Sequence, residues 1–171
     1  LMAAAIRDPD PVIVCDSKAL LAIKGEVPDG EHVLPLGEAA VVREGSDVTI
    51  VTYGACCRVA LEAAQKLSKV GIEIEVIDAQ SLLPFDVHGR IVESLKKTNR
   101  VVFLDEDVPG GAAAYMFNKV MEEQGGYKYL DVAPRTITGK AHRPAYGSDG
   151  DYFSKPNAEE IESVIRQMMV E

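Results

Sequence analysis

Residues 47–84, DVTIVTYGACCRVALEAAQKLSKVGIEIEVIDAQSLLP, restrict the fold of this chain more than any other stretch. Residues 48–53 are almost continuously apolar or β-branched, the pattern of a strand covered on both faces. The period then changes. Val59, Ala63, Leu67 and Val70 fall at i, i+4, i+8 and i+11, while Arg58, Glu62, Gln65, Lys66 and Lys69 fill the other side. This predicts an amphipathic helix with a correctly oriented Glu62–Lys66 pair, cations in its last turn, and Gly71 placed for a left-handed cap. Ile72, Ile74 and Val76 next alternate with Glu73 and Glu75, which predicts a strand with one face partly wet. Strand, helix and strand at this spacing close as a right-handed parallel crossover, so the chain is an α/β domain.

At 171 residues, one domain or one domain plus a fragment is expected. Apolar residues at 47% and charged residues at 26% suffice for a core in water. The net charge of −9 argues against a phosphate-tracking nucleic-acid binder, which needs a basic face, and is compatible with a basic protein partner. No run approaches a membrane span, and the amino terminus lacks a signal-peptide layout. Three cysteines, Cys56 and Cys57 adjacent, form neither a disulfide framework nor a metal spacing. The opening LMAAAIRDPDPVIV begins at Leu1 and reads as a helix end running into a strand at residues 12–15, as in a piece of a longer polypeptide.

Gly25, Pro28, Asp29, Gly30, Pro35, Gly37 and Gly45 make residues 16–45 read as a linker. Pro84-Phe85-Asp86 starts a second helix carrying Val87, Ile91, Val92 and Leu95, and RVVFLD at 100–105 is another buried strand. A third helix follows over 112–124, residues 135–138 suit an edge strand after Pro134, and 139–156 is a long polar and aromatic loop. Asn157 with Glu160 opens a last helix whose apolar face is Ile161, Val164, Ile165 and Met168.

Candidate chemistry is sparse. The turn Thr52-Tyr53-Gly54-Ala55 has one glycine where a dinucleotide fingerprint needs three. Cys56 and Cys57 sit at a helix start without a nearby histidine, which favours small buried residues over a nucleophile. Asp105-Glu106-Asp107 closes a buried strand, where carboxylates serve acid–base chemistry, a metal, or most often the cap of the next helix. Gly110, Gly111 and Ala112 leave a helix start almost without bulk, which suits close packing across a subunit interface. His142, Arg143 and Tyr146 lie in a loop of the kind that lines active-site edges. His32 and His88 read as structural or solvated. No self-contained catalytic set emerges.

The ordered series VTYG, ALEAAQKL, GIEIEVIDAQSLLPFD, ESLKKTNRVVFLDED, GG and LDVAPRTITG resembles the carboxyl-terminal part of the β subunit of thiamine-diphosphate-dependent 2-oxoacid dehydrogenases, or of a fused α–β form. These are the decarboxylating components of the pyruvate and branched-chain complexes. The resemblance covers essentially the whole chain. Transketolase and deoxyxylulose-phosphate synthase share the fold and the VTYG-to-EVID layout, while LPFD, the LD-AP-like stretch and RDPDPVIV favour the dehydrogenase. A self-sufficient flavodoxin-like nucleotide-binding module is the alternative of a different class.

The resemblance implies a three-layer α/β fold of transketolase C-terminal type, its mostly parallel sheet carrying one antiparallel edge strand. It implies the tail of a pyrimidine-binding domain at 1–15, a linker at 16–45 and the C-terminal domain at 46–171. Thiamine diphosphate and Mg²⁺ would be held elsewhere in the full enzyme, with no catalytic, cofactor or metal residue in this segment. Implied partners are a second β-type subunit, the α-type portion, and the subunit-binding domain of a dihydrolipoyl acyltransferase. Asp131 matches the docking aspartate of relatives, although Pro134 follows one residue later than in their LDAP pattern. Glu171 stands where relatives use the chain-terminal carboxylate of a last residue that is often apolar. The run RPAYGSDGDYFSKPNAEE leans towards the branched-chain or fused type. The resemblance also implies a bacterial cytoplasmic or mitochondrial matrix location.

Overall fold

The computed structural model describes residues 1–171 apart from 27, 28, 145, 148 and 149. Pro28 of the linker reading and Ala145, Ser148 and Asp149 of the long loop therefore lie outside the described residues. Two short helices, α1 (Met2–Arg7) and α2 (Lys18–Leu21), come first. Residues 12–15, expected as a strand, form no regular element: Ile13 is 89% exposed, and a lone strand with no sheet to join has no hydrogen-bond ladder.

Five strands follow: β1 (Ala40–Arg43), β2 (Val48–Thr52), β3 (Ile74–Asp78), β4 (Val101–Leu104) and β5 (Arg135–Ile137). Their spatial order is β1-β3-β2-β4-β5; β1 runs antiparallel to β3 and every other pair is parallel. The sheet is thus mostly parallel with one antiparallel edge, as expected. That edge comes from an unexpected place, inside the stretch 16–45 read as linker. Four residues between glycines look like a turn in sequence, but here Arg43 ties them down. Its guanidinium donates to Glu73 Oε2 (2.6 Å) and to the Ile74 carbonyl at the start of β3. β5 is the opposite edge and is parallel.

The helices α3 (Cys56–Ser68), α4 (Arg90–Thr98), α5 (Ala112–Phe117), α6 (Gly150–Ser154) and α7 (Ala158–Met168) complete the fold. Helix α4 begins at Arg90 rather than Pro84. Asp86, at φ +38°, turns its buried carboxylate onto the amides of Arg90 (2.9 Å) and Ile91 (3.0 Å) and so fixes the later start. The third helix is α-helical only to Phe117 and widens to a π turn over Asn118–Glu123. Asn157 caps α7 through its side chain, which accepts from the Glu160 amide (2.9 Å).

Strand alternation sorts the core into two layers. Val48, Ile50, Ile74, Val76, Val102 and Leu104 face α3 and α7, against Leu67, Ile161 and Ile165. Val51, Ile77, Val101 and Phe103 face α4 and α5, against Ile91, Leu95 and Met116. The partly wet face expected for β3 is not wet. Glu75 is 2% exposed, because β1 covers that edge and Lys97 reaches from α4 to its carboxylate.

Candidate functional site

A parallel sheet has two chemically different ends, and the sequence-derived residues divide between them. Strand β2 lies between β3 and β4, so the crossovers after β2 and β3 leave in opposite directions, and a crevice is expected where β2 and β4 end. Tyr53 follows β2 and Asp105 follows β4. The Tyr53 hydroxyl donates to Asp105 Oδ1 across that crevice (2.8 Å). Asp105 also accepts from the amides of Asp107 (3.2 Å) and Ala113 (3.0 Å), so one buried carboxylate joins the β2 turn, its own loop and the first turn of α5. Burial, reinforced by the Asp105 hydrogen bond and charge, raises the Tyr53 phenol well above its ordinary range. Burial, with the charges of Glu106 and Asp105, pushes the Cys56 thiol up to about 12. The Cys57 thiol rises for the same first reason, with Asp78 as the neighbouring carboxylate. Both shifts favour the protonated thiol over the thiolate.

Gly110 and Gly111 lie just beyond Asp107. Gly110 has φ +97°, and a Cβ on Gly111 would stand 2.5 Å from Asp107 Oδ2. The glycines at 110 and 111 thus suit the chain's own loop, the first by its backbone conformation and the second by its closeness to Asp107. In the segment that follows the carboxyl end of β5, Arg143 contacts both His142 and Tyr146. His142 Nδ1 donates to the Arg143 carbonyl (2.9 Å), and the Arg143 guanidinium stacks 4.8 Å from the Tyr146 ring centroid and bonds its hydroxyl. All three are exposed. Their segment is anchored by Lys140–Glu160 (2.5 Å) and Lys155–Glu106 (3.2 Å).

Asp131 and Glu171 occupy the amino end. The Asp131 amide donates to the carbonyl of Asn99, which ends α4 just before β4 (3.0 Å), and the Asp131 residue is exposed. Arg100 Nε donates to the Met168 carbonyl (3.3 Å), which brings the end of α7 to the same edge. Beyond it, both oxygens of the Glu171 side chain accept from Arg135 Nη2 (2.6 and 2.7 Å), and Gln167 Nε2 adds a third bond (3.2 Å). Sequence reasoning missed Arg135 and the Tyr53–Asp105 bridge. Arg135 is 36 residues from Glu171 in the chain and Tyr53 is 52 from Asp105, so no local pattern pairs them. The available signal was that Tyr53 and Asp105 each follow a buried strand in a crossover fold.

Among the described residues, no group of three or more His, Cys, Asp or Glu side chains could hold a metal ion. The carboxyl end offers Asp78, Asp105, Glu106 and Asp107, with Lys155 already paired to Glu106. That donor set repels a diphosphate and does not fit thiamine diphosphate with Mg²⁺.

Residues 37–161 match the family described as Transketolase, C-terminal domain. The chain is 50% identical over 109 residues to the acetoin:2,6-dichlorophenolindophenol oxidoreductase subunit beta of Cupriavidus necator, covering 64% of this chain and 32% of that one. It is 36% identical over 171 residues to the 2-oxoisovalerate dehydrogenase subunit beta of Bacillus subtilis, covering 98% of this chain and 51% of the relative. It is 34% identical over 168 residues to the pyruvate dehydrogenase E1 component subunit beta of Rhizobium meliloti, covering 97% and 36%. A solved split-gene transketolase, described as an inactive beta4 tetramer, superposes with a TM-score of 0.64 at 25% identity, covering 85% of this chain and 46% of that one. The chain therefore spans about half or less of the length of these relatives.

Proposed function

This chain belongs to the transketolase C-terminal domain family, and from that premise we propose that it is the assembly and docking domain of a β-type subunit in a thiamine-diphosphate-dependent 2-oxoacid dehydrogenase. Thiamine diphosphate and Mg²⁺, held by other parts of the enzyme, would supply the decarboxylation, and the acyl group would pass to a lipoyl carrier. This domain supplies surfaces rather than a reaction centre. It pairs with a second β-type subunit, meets the α-type portion, and receives the subunit-binding domain of the acyltransferase on the edge that carries Asp131 and Glu171. The His142, Arg143 and Tyr146 loop borders the active site from the other end, and Gly110 to Ala112 approach the neighbouring subunit. The relatives named for bacterial and mitochondrial dehydrogenases support the cytoplasm or the mitochondrial matrix as its place.

One observation carries the docking assignment. Two acidic residues 40 apart in the chain lie at the same end of the sheet, while the crevice at the far end is bridged by Tyr53 and Asp105. The 50% identity to an acetoin oxidoreductase β subunit favours a second reading of substrate, in which the assembled enzyme cleaves acetoin. Calorimetric titration with the recombinant subunit-binding domain tests the docking site. Binding should weaken with added salt, and Asp131→Ala should weaken it about tenfold, the order expected when one partner of a charge pair at an interface is lost. Undiminished binding by Asp131→Ala would remove the assignment.

A further inference from the structure

The charge of the amino-terminal edge is not the sum that its carboxylates suggest. Asp131 has no ion-pair partner among the described residues. Glu171 has one, since a single nitrogen of Arg135 chelates both of its oxygens. Arg100 lies on the same edge, its guanidinium held by the Met168 carbonyl. The pair is not locked away: 33% of the Arg135 side chain and 31% of the Glu171 side chain remain exposed. A carboxylate offers about four acceptor positions, of which Arg135 uses two and Gln167 a third. An incoming guanidinium could make a two-pronged contact with Glu171 only by displacing the Arg135 contact.

We propose that Arg135 is a built-in rival for the partner's cation, a residue that sets the affinity of this edge by occupying Glu171 until a guanidinium from the partner takes it over. This rests on the docking reading above. Chemically, it specifies the partner as one that presents an arginine fork. A lysine offers a point charge and cannot match the two-oxygen contact it must replace. The exchange swaps one arginine–carboxylate pair for another, so Glu171 adds less than Asp131 to affinity and acts chiefly in discrimination.

The test is a double-mutant cycle on the full chain, titrated calorimetrically with the recombinant subunit-binding domain. Arg135→Gln should tighten binding three- to tenfold. In a Glu171→Gln background the same change should give at most a twofold gain, because the rival no longer holds anything the partner wants. Equal gains in both backgrounds would reduce Arg135 to a distant repulsive charge and overturn the proposal. Weaker binding by Arg135→Gln would overturn it too, by making Arg135 a positioning residue for Glu171. The Asp131→Ala titration separates the two levels. If Asp131→Ala weakens binding and the cycle shows no coupling, only the rivalry fails; if Asp131→Ala leaves binding undiminished, the docking reading itself has failed.

Discussion

Asp105 does three jobs with two oxygens, holding the Tyr53 hydroxyl and the amides of Asp107 and Ala113. A buried carboxylate with several donors is costly to remove because each donor is left without a partner. Asp105→Ala should therefore destabilise the domain by about 3 kcal/mol, and Tyr53→Phe, which deletes one bond, by about 1 kcal/mol. Urea unfolding midpoints measure both, and equal losses would mean that the bridge to Tyr53 carries the whole effect. In sequence, the triplet Asp105-Glu106-Asp107 is legible as a helix cap. Which carboxylate turns inward is not, because that depends on how a strand 52 residues earlier ends beside it. The cysteines were easier to read: a helix start without a histidine nearby in sequence already pointed to small buried residues, and Cys56 is buried while Cys57 is half-buried.

Between sheet and helix α4 lies a buried polar seam. Thr49 Oγ1 meets Ser94 Oγ (2.6 Å) and Thr98 Oγ1 (2.7 Å), and beside them Lys97 reaches the buried Glu75. Alternation alone assigned Glu75 to solvent, because the sequence does not reveal that β1 would cover that edge of β3. Thr49→Val takes one partner from each of two buried hydroxyls, while Thr98 keeps the Ser94 and Arg100 carbonyls and Ser94 keeps Glu75, so it should cost about 1 kcal/mol, read from thermal or urea unfolding. The same seam has a pH signature. Burial raises the Glu75 carboxyl, but bonds from Lys97 and Ser94 outweigh it, and the net direction is below the ordinary 4.5. A carboxyl lowered in the folded state stabilises above its unfolded value and loses that contribution as pH falls. Asp78 and Asp86, raised by burial, work in the opposite sense: their contribution is present in acid and is lost as pH rises through their folded values. Stability should thus decline more steeply below about pH 4.5 in the native protein than in Glu75→Gln. Parallel acid titrations of the two would reveal a Glu75 charge that does nothing if the slopes coincide.

For the molecule as a whole, the end of the sheet where doubly wound folds usually take ligands is bridged by its own side chains and lined with carboxylates. Addition of FMN, NAD or ATP should leave the melting temperature unchanged, whereas the flavodoxin-like alternative requires at least one of them to raise it. Fold class was readable from the crossover at 47–84, since a buried strand, an amphipathic helix and a second strand admit few arrangements. The antiparallel edge itself was expected from the resemblance, but its position was not readable, because Ala40–Arg43 is too short to show a period and is held by pairing with β3 and by Arg43 on Glu73 and Ile74. That edge also decides where the chain can be cut. Trimming at residue 46, where composition places the boundary, would strip β3 of its cover and leave a bare row of peptide groups beside Ile77 for other molecules to recruit. Trimming ahead of Gly37, where the family match starts, keeps the cover in place. A shortened version for crystallisation or labelling should begin there, or the sample will be lost to precipitation before any partner is added.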